Sequence, residues 1–175
     1  MIETVDHAGD PSPGGGGRET VMASHDTGAR QVVGGRHPGQ LLAAAVAAVF
    51  LLVGILGFIP GATTNYDQLE FAGHESGALL LGLFNVSILH NLVHAAFGLV
   101  GLGLARTVSG ARAFLIGGGA IYLVLWIYGM VIDHDSAANF VPVNDADNWL
   151  HLGLGAGMII LGLLAARTSR PTSID

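Results

Sequence analysis

Cysteine and lysine are both absent from this chain of 175 residues, and charged residues make up only 11% of it. Without cysteine there is no disulfide, no iron–sulfur cluster and no thiolate zinc site, so any metal would need nitrogen and oxygen ligands. So few charges cannot cover the surface of a soluble domain of this size. Together with 51% apolar residues, this composition predicts an integral membrane protein.

Four apolar runs are long enough, at about 20 residues each, to cross a bilayer as helices. They cover residues 41–59, 87–105, 111–132 and 144–166, and the second run can be read as starting earlier, through residues 79–84. The 27 glycines favour close helix packing in lipid. We therefore predict an all-α integral membrane fold, a four-helix bundle over residues 39–168.

The two ends of the chain differ in composition from the apolar runs. Residues 1–38 contain four consecutive glycines, three of the six prolines and almost no apolar periodicity. This composition predicts a disordered cytoplasmic tail, and residues 169–175 form a second, short one. The opening residues lack the basic-then-apolar pattern of a signal peptide. Either Met1 or Met22 is the true start.

The arginines that flank the four runs all fall on one side of the predicted membrane. They are Arg30, Arg36, Arg106, Arg112, Arg167 and Arg170. The positive-inside rule then places both termini in the cytoplasm and the two acidic loops outside. This predicts a multi-pass protein of the bacterial cytoplasmic membrane, with the lipid bilayer as its main partner. Other membrane proteins or further copies of the chain are compatible partners, and nothing indicates nucleic-acid binding.

One polar phrase occurs twice, as HNLVH at residues 90–94 and as DNWLH at residues 147–151. A shift of 57 residues aligns Asn91 with Asn148 and His94 with His151. Each phrase opens an apolar run, so we predict that the second and fourth helices are copies. The four helices then form two parallel pseudo-repeats, helices one and two and helices three and four, related by an approximate two-fold along the membrane normal.

Ser87 and Asn144 stand at equivalent positions before the two phrases, and both are good helix N-cap residues. This register puts His90 and Asp147 in the first helical turn. A carboxylate there interacts favourably with the positive end of the helix dipole. Capping therefore explains Asp147 without any further function.

His94 and His151 are harder to explain, because they lie on the order of 10 Å below the helix starts. Each shares a helix face with the residue four positions earlier, His90 or Asp147. Small residues continue both stripes and predict that the two faces pack together: Gly98 and Gly101 in the second helix, Gly155 and Gly162 in the fourth. The ionisable side chains are then expected to converge near the outer surface.

Three interpretations of this convergence stay open. In the first, Asn91, Asn148 and the histidines form a structural polar cluster that fixes helix packing. In the second, a divalent metal such as zinc, copper or iron is bound by His90, His94, Asp147 and His151. In the third, imidazoles from facing helices are axial ligands of haem. No catalytic set follows from the spacing. We expect a non-enzymatic accessory or scaffold protein, with metal or haem binding at the outer face as the alternative.

A family resemblance accompanies these patterns. GFIPG at residues 57–61 ends the first run, Phe84 precedes the first polar phrase, a tyrosine lies in the third run, and the second phrase opens the fourth. This combination resembles a bacterial membrane family catalogued as domain of unknown function 4383, seen mainly in actinobacteria and cyanobacteria. The resemblance covers residues 41–167. It implies a four-span integral membrane protein and carries over no activity, ligand or site.

Overall fold

The computed structural model describes residues 36–167, and four α-helices account for most of this part of the chain. They are α1 (Pro38–Leu56), α2 (Ile88–Leu104), α3 (Val108–Val131) and α4 (Asp145–Arg167). The helical fold predicted from the four apolar runs is confirmed. The predicted tails, residues 1–38 and 169–175, lie outside the described residues except for residues 36–38, where α1 already begins at Pro38.

Three of the described helices, α1, α3 and α4, are long and apolar enough to cross a membrane. The fourth, α2, is apolar but has only 17 residues, which is the lower limit for a span. The sequence also allowed this helix to start earlier, through residues 79–84, and that prediction is wrong. Residues in that stretch form strands instead, and α2 begins only after Ser87.

A small antiparallel sheet between α1 and α2 was not predicted from the sequence. Its strands, in spatial order, are β1 (Thr63–Thr64), β2 (Leu79–Leu80) and β3 (Phe84–Asn85). Leu81 and Gly82, in the turn between β2 and β3, both have positive φ angles, of 54° and 70°. This left-handed backbone cannot continue a helix and instead reverses the chain.

The helices pack as two pairs, α1 with α2 and α3 with α4. Glycines bring the backbones of each pair close together. A Cβ on Gly98 of α2 would lie 2.5 Å from the backbone nitrogen of Leu51 in α1. A Cβ on Gly119 of α3 would lie 2.7 Å from the carbonyl oxygen of Gly155 in α4. Neither pair could keep this spacing with a larger residue at these positions.

The glycine stripes of α2 and α4 do not face each other. Gly98 packs against α1, and Gly101 packs against Phe114 of α3 and a residue of α1. Gly155 and Gly162 both pack against α3. The expectation that these two stripes form one interface is wrong, because helices that are neighbours in the chain pack together first and occupy the glycine faces.

A group of aromatic rings lies between the two helix pairs. Phe50 of α1, Phe97 of α2 and Tyr122 of α3 contact one another, with ring centroids 4.9 to 5.6 Å apart. Each such contact contributes about 0.5–1.5 kcal/mol beyond the burial of the rings. This aromatic core adjoins the predicted site, since Phe50 also contacts the ring of His94 and Tyr122 that of His151.

Candidate functional site

Three buried histidines form the centre of the site, at the end of the helices where α2 and α4 begin. His90 and His94 come from α2, one turn apart, and their ring centroids are 4.6 Å from each other. His151 comes from α4. All three side chains line the same two cavities, one of about 80 Å³ and one of about 310 Å³. The histidines therefore belong to both helix pairs.

The smaller cavity is surrounded by all four side chains of the predicted metal set, His90, His94, Asp147 and His151. Asn91 and apolar residues from α1, α4 and the sheet region complete its wall. A volume of about 80 Å³ is enough for a few water molecules. The structure thus places around one space the residues that the repeated phrase singled out.

The first turns of α2 and α4 are capped by side chains. The hydroxyl oxygen of Ser87 accepts a hydrogen bond from the backbone N–H of His90 at 3.1 Å. The Asn144 side-chain oxygen accepts from the N–H of Asp147, and Oδ2 of Asp147 accepts from the N–H of Asn144, both at 3.0 Å. This reciprocal pair is a capping box.

Asp147 also holds α4 to the sheet. Its Oδ2 accepts a second hydrogen bond, at 2.9 Å, from the backbone N–H of Asn85 in β3. The Asn144 side-chain amide donates to the carbonyl of Leu83 at 2.9 Å, in the turn that leads into β3. The start of α4 is therefore fixed to a segment that lies about 60 residues earlier in the chain.

The histidines differ in their hydrogen bonding. The Nδ1–H of His90 donates to the Pro142 carbonyl at 3.0 Å, and that of His94 donates to the His90 carbonyl at 3.2 Å. In the neutral imidazole, Nε2 of each ring is then the acceptor. Nδ1 of His151 is buried and has no hydrogen-bond partner among the described residues. A buried polar atom of this kind requires an explanation, such as water or a ligand.

Asn91 and Asn148 occupy comparable places in the two helix pairs. The Asn91 side chain lies directly against Gly57 at the end of α1, and the Asn148 side chain lies against Gly129 near the end of α3. In both places a Cβ on the glycine would collide with the asparagine side chain. One polar atom of each asparagine, Nδ2 of Asn91 and Oδ1 of Asn148, is buried without a partner among residues 36–167.

Among the residues described, no group of three or more histidine or carboxylate side chains is arranged so that it could hold a metal ion. Oδ2 of Asp147 is already engaged by two backbone N–H groups. Metal or haem binding by His90, His94, Asp147 and His151 stays a prediction.

Two contributors to the site were not found from the sequence, Asn85 and Pro142. Both act through backbone groups, the N–H of Asn85 and the carbonyl of Pro142. Every residue has a carbonyl and nearly every residue has an N–H, so no side-chain pattern marks these positions. Only the folded path of the two loops brings them to the helix ends.

Comparison with known proteins gives one match. A family model described as a domain of unknown function (DUF4383) matches residues 40–164, a range that includes both polar phrases. This confirms the resemblance drawn from the sequence. No curated protein and no solved structure matches the chain.

Proposed function

We propose that this chain, which belongs to the DUF4383 family, is a small non-enzymatic protein of the bacterial cytoplasmic membrane that acts as an accessory or scaffold subunit. Its polar cluster, defined as His90, Asn91, His94, Asp147, Asn148 and His151, then has a structural role. One observation carries this proposal: two members of the cluster, His90 and Asp147, form hydrogen bonds with backbone groups that belong to the other half of the chain.

The charge distribution supports a four-span topology with both termini in the cytoplasm. Arg36 precedes α1, and Arg106 and Arg112 lie in or near the connection between α2 and α3. The connections at the other end, residues 57–87 and 132–144, contain acidic residues and no arginine. By the positive-inside rule the polar cluster faces outward, and α2 crosses at the minimum length for a span.

A duplicated origin is supported by the two glycine–asparagine contacts. In each helix pair, a glycine at the end of the first helix receives the asparagine of the second, Gly57 with Asn91 and Gly129 with Asn148. The helices within each pair also pack closely against each other. Two helix pairs with the same internal contact are expected of parallel pseudo-repeats.

The polar cluster joins the two pairs at their outer end. His90 in α2 binds the carbonyl of Pro142, which lies in the segment before α4, and Asp147 in α4 binds the N–H of Asn85 before α2. The loops themselves are also linked, because the N–H of Gly73 donates to the carbonyl of Phe140 at 2.7 Å. Through these bonds α2 holds the segment that leads into α4, and α4 holds the segment that leads into α2.

Replacing His90 with leucine tests this role. Leucine keeps most of the volume but leaves the buried Pro142 carbonyl without its donor. We expect the free energy of unfolding to fall by about 1–3 kcal/mol. The measurement is unfolding of the purified protein in mixed micelles with increasing dodecyl sulfate, followed by circular dichroism.

His74→Leu is the matched control, because His74 is a half-buried loop histidine outside the cluster. We expect its effect to stay within about 0.5 kcal/mol. Equal unfolding midpoints for His90→Leu and the unmodified protein would contradict a structural role for the cluster.

Metal or haem binding is the second candidate, and one observation favours it. Nδ1 of both His90 and His94 donates to a backbone carbonyl, which is the way that proteins orient histidines whose Nε2 binds a metal. The four predicted ligands also surround one cavity. Zinc, copper or iron, or the iron of a haem, would be held by these imidazoles at the outer face.

A further inference from the structure

The larger cavity beside the histidines has the size and lining of a small-molecule site. Its volume of about 310 Å³ lies at the lower end of the range of about 300–1,000 Å³ that is usual for such sites. Apolar side chains form much of its wall: Val93, Val124, Leu125, Phe140, Val141 and Val143. The three histidines, Tyr122 and Tyr128 form the rest. An apolar space with a few polar groups on one side is the usual design of a binding pocket.

This cavity opens onto an apolar surface. Val93 of α2 and Val124 of α3 are 47% and 65% exposed, and Phe140 is 57% exposed. In the membrane placement proposed above, these side chains face lipid, because exposed apolar surface of this extent is not stable in water. A ligand would therefore enter sideways, from the hydrocarbon phase, and has to be lipid-soluble.

The lining selects against a charged ligand. None of the residues that line this cavity is an arginine or a carboxylate. An anionic lipid headgroup would thus be buried without a counter-ion, which is costly in an apolar site. Asp147, which lines the smaller cavity on the other side of the histidines, makes an anion still less favourable. An anion is therefore excluded, and a ligand that enters through the hydrocarbon phase is neutral, because burying any unpaired charge there is costly.

His151 and the Tyr122 hydroxyl are the available hydrogen-bond donors. The N–H groups of His90 and His94 are already donated to backbone carbonyls, and the Tyr128 hydroxyl is donated to the carbonyl of Ala138. His151 is 5% exposed and lines the cavity, as Tyr122 does. A neutral imidazole carries one N–H, so it can donate to a carbonyl oxygen. The aromatic rings of Tyr122 and Phe140 in the same wall favour a flat ring over an alkyl chain.

We propose that this cavity binds a neutral, lipid-soluble quinone, whose ring lies between α2 and α3 and whose carbonyl oxygen accepts a hydrogen bond from His151. The proposal rests on the membrane placement proposed above. It does not depend on whether the polar cluster stabilises the fold, because His90 and Asp147 make the bonds between the helix pairs and His151 does not.

The test compares two ligands of nearly the same shape on the full chain in lipid nanodiscs. Menadione is a naphthoquinone, and methylnaphthalene has the same fused rings without the carbonyl oxygens. Saturable binding is measured by titration calorimetry, with empty nanodiscs subtracted. We expect menadione to bind about tenfold more tightly, since one hydrogen bond to a buried donor has about this effect. Equal affinities, or no saturable binding of menadione, would overturn the proposal.

Three variants locate the site. Val124→Trp fills the cavity and is expected to reduce menadione binding at least about tenfold, whereas Ile121→Trp, at an exposed position of α3 outside the cavity, leaves it unchanged. His151→Phe keeps a ring and removes the imidazole donor, so the preference for menadione over methylnaphthalene is expected to fall. Menadione binding that all three variants retain would place the ligand elsewhere. Failure here would leave the stability change of His90→Leu in place, so the two proposals fail separately.

Discussion

Gly98→Val is expected to separate α1 from α2 and to lower the free energy of unfolding by about 3 kcal/mol or more. Any Cβ at this position would lie 2.5 Å from the backbone nitrogen of Leu51 and 2.7 Å from the carbonyl oxygen of Ala47. Backbone atoms of α1 cannot rotate aside as the end of a side chain can. The two helices would have to move apart, with loss of packing along their whole contact. Unfolding in dodecyl sulfate, followed by circular dichroism, measures the change.

Gly103→Val on the same helix is the control, because an added Cβ there meets nothing within 4 Å. It makes the same exchange of residue types as Gly98→Val, in which valine has the slightly better helix propensity, and it has no steric conflict. The pair Gly119→Val and Gly117→Val repeats the comparison in α3. Of these two glycines, Gly119 packs against α4, and a Cβ on Gly117 meets nothing within 4 Å. Similar unfolding midpoints for Gly98→Val and Gly103→Val would show that the close contact of α1 with α2 is absent from the membrane protein.

Asp147→Ala is expected to have the second largest effect, a loss of about 3 kcal/mol in the free energy of unfolding. Its Oδ2 accepts from the backbone N–H groups of both Asn85 and Asn144. Alanine leaves both of these part-buried donors unpaired, and the loss of each bond costs about 1.5 kcal/mol. The same change also releases α4 from β3, so amide hydrogen exchange at the start of α4 should become faster.

Two variants separate this effect from simpler causes. Asp145→Ala removes another carboxylate of the same first turn, whose side chain is 96% exposed. It controls for the interaction with the helix dipole, and we expect it to lower the free energy of unfolding by less than about 1 kcal/mol. Asp147→Asn keeps an oxygen acceptor and should lose less than Asp147→Ala. If Asp145→Ala and Asp147→Ala lowered the free energy of unfolding equally, the hydrogen bond from α4 to the sheet would contribute nothing to stability.

The parts of the fold that the sequence predicts are those with a local physical cause. Apolar runs predict the four helices, because a long apolar segment buries its polar backbone only as a helix. Ser87 and Asn144 mark the starts of α2 and α4 through side chains that compete for backbone N–H groups. The small sheet has no such mark, since β1 is only two threonines long and β2 and β3 lie within an apolar stretch that suits a helix as well.

The parts of the site that depend on tertiary placement could not be read from the sequence. The repeated phrase identifies the buried histidines, but not that Nδ1 of His90 meets the carbonyl of Pro142. Helical spacing places Gly98 and Gly155 below the histidines. It does not say which helix each glycine meets, and both meet a chain neighbour. The larger cavity is formed by α2, α3, the segment before α4 and His151 of α4, so no single motif encodes it.

In the structural role proposed above, the polar cluster holds the two helix pairs together without a metal or haem. The most direct test is elemental analysis and an absorption spectrum of the full chain, purified in detergent without chelators. The structural role predicts less than about one-tenth of a metal ion per chain and no Soret band, with the histidines intact. About one zinc, copper or iron per chain, or a Soret band, that is lost in His94→Leu and His151→Leu would contradict it.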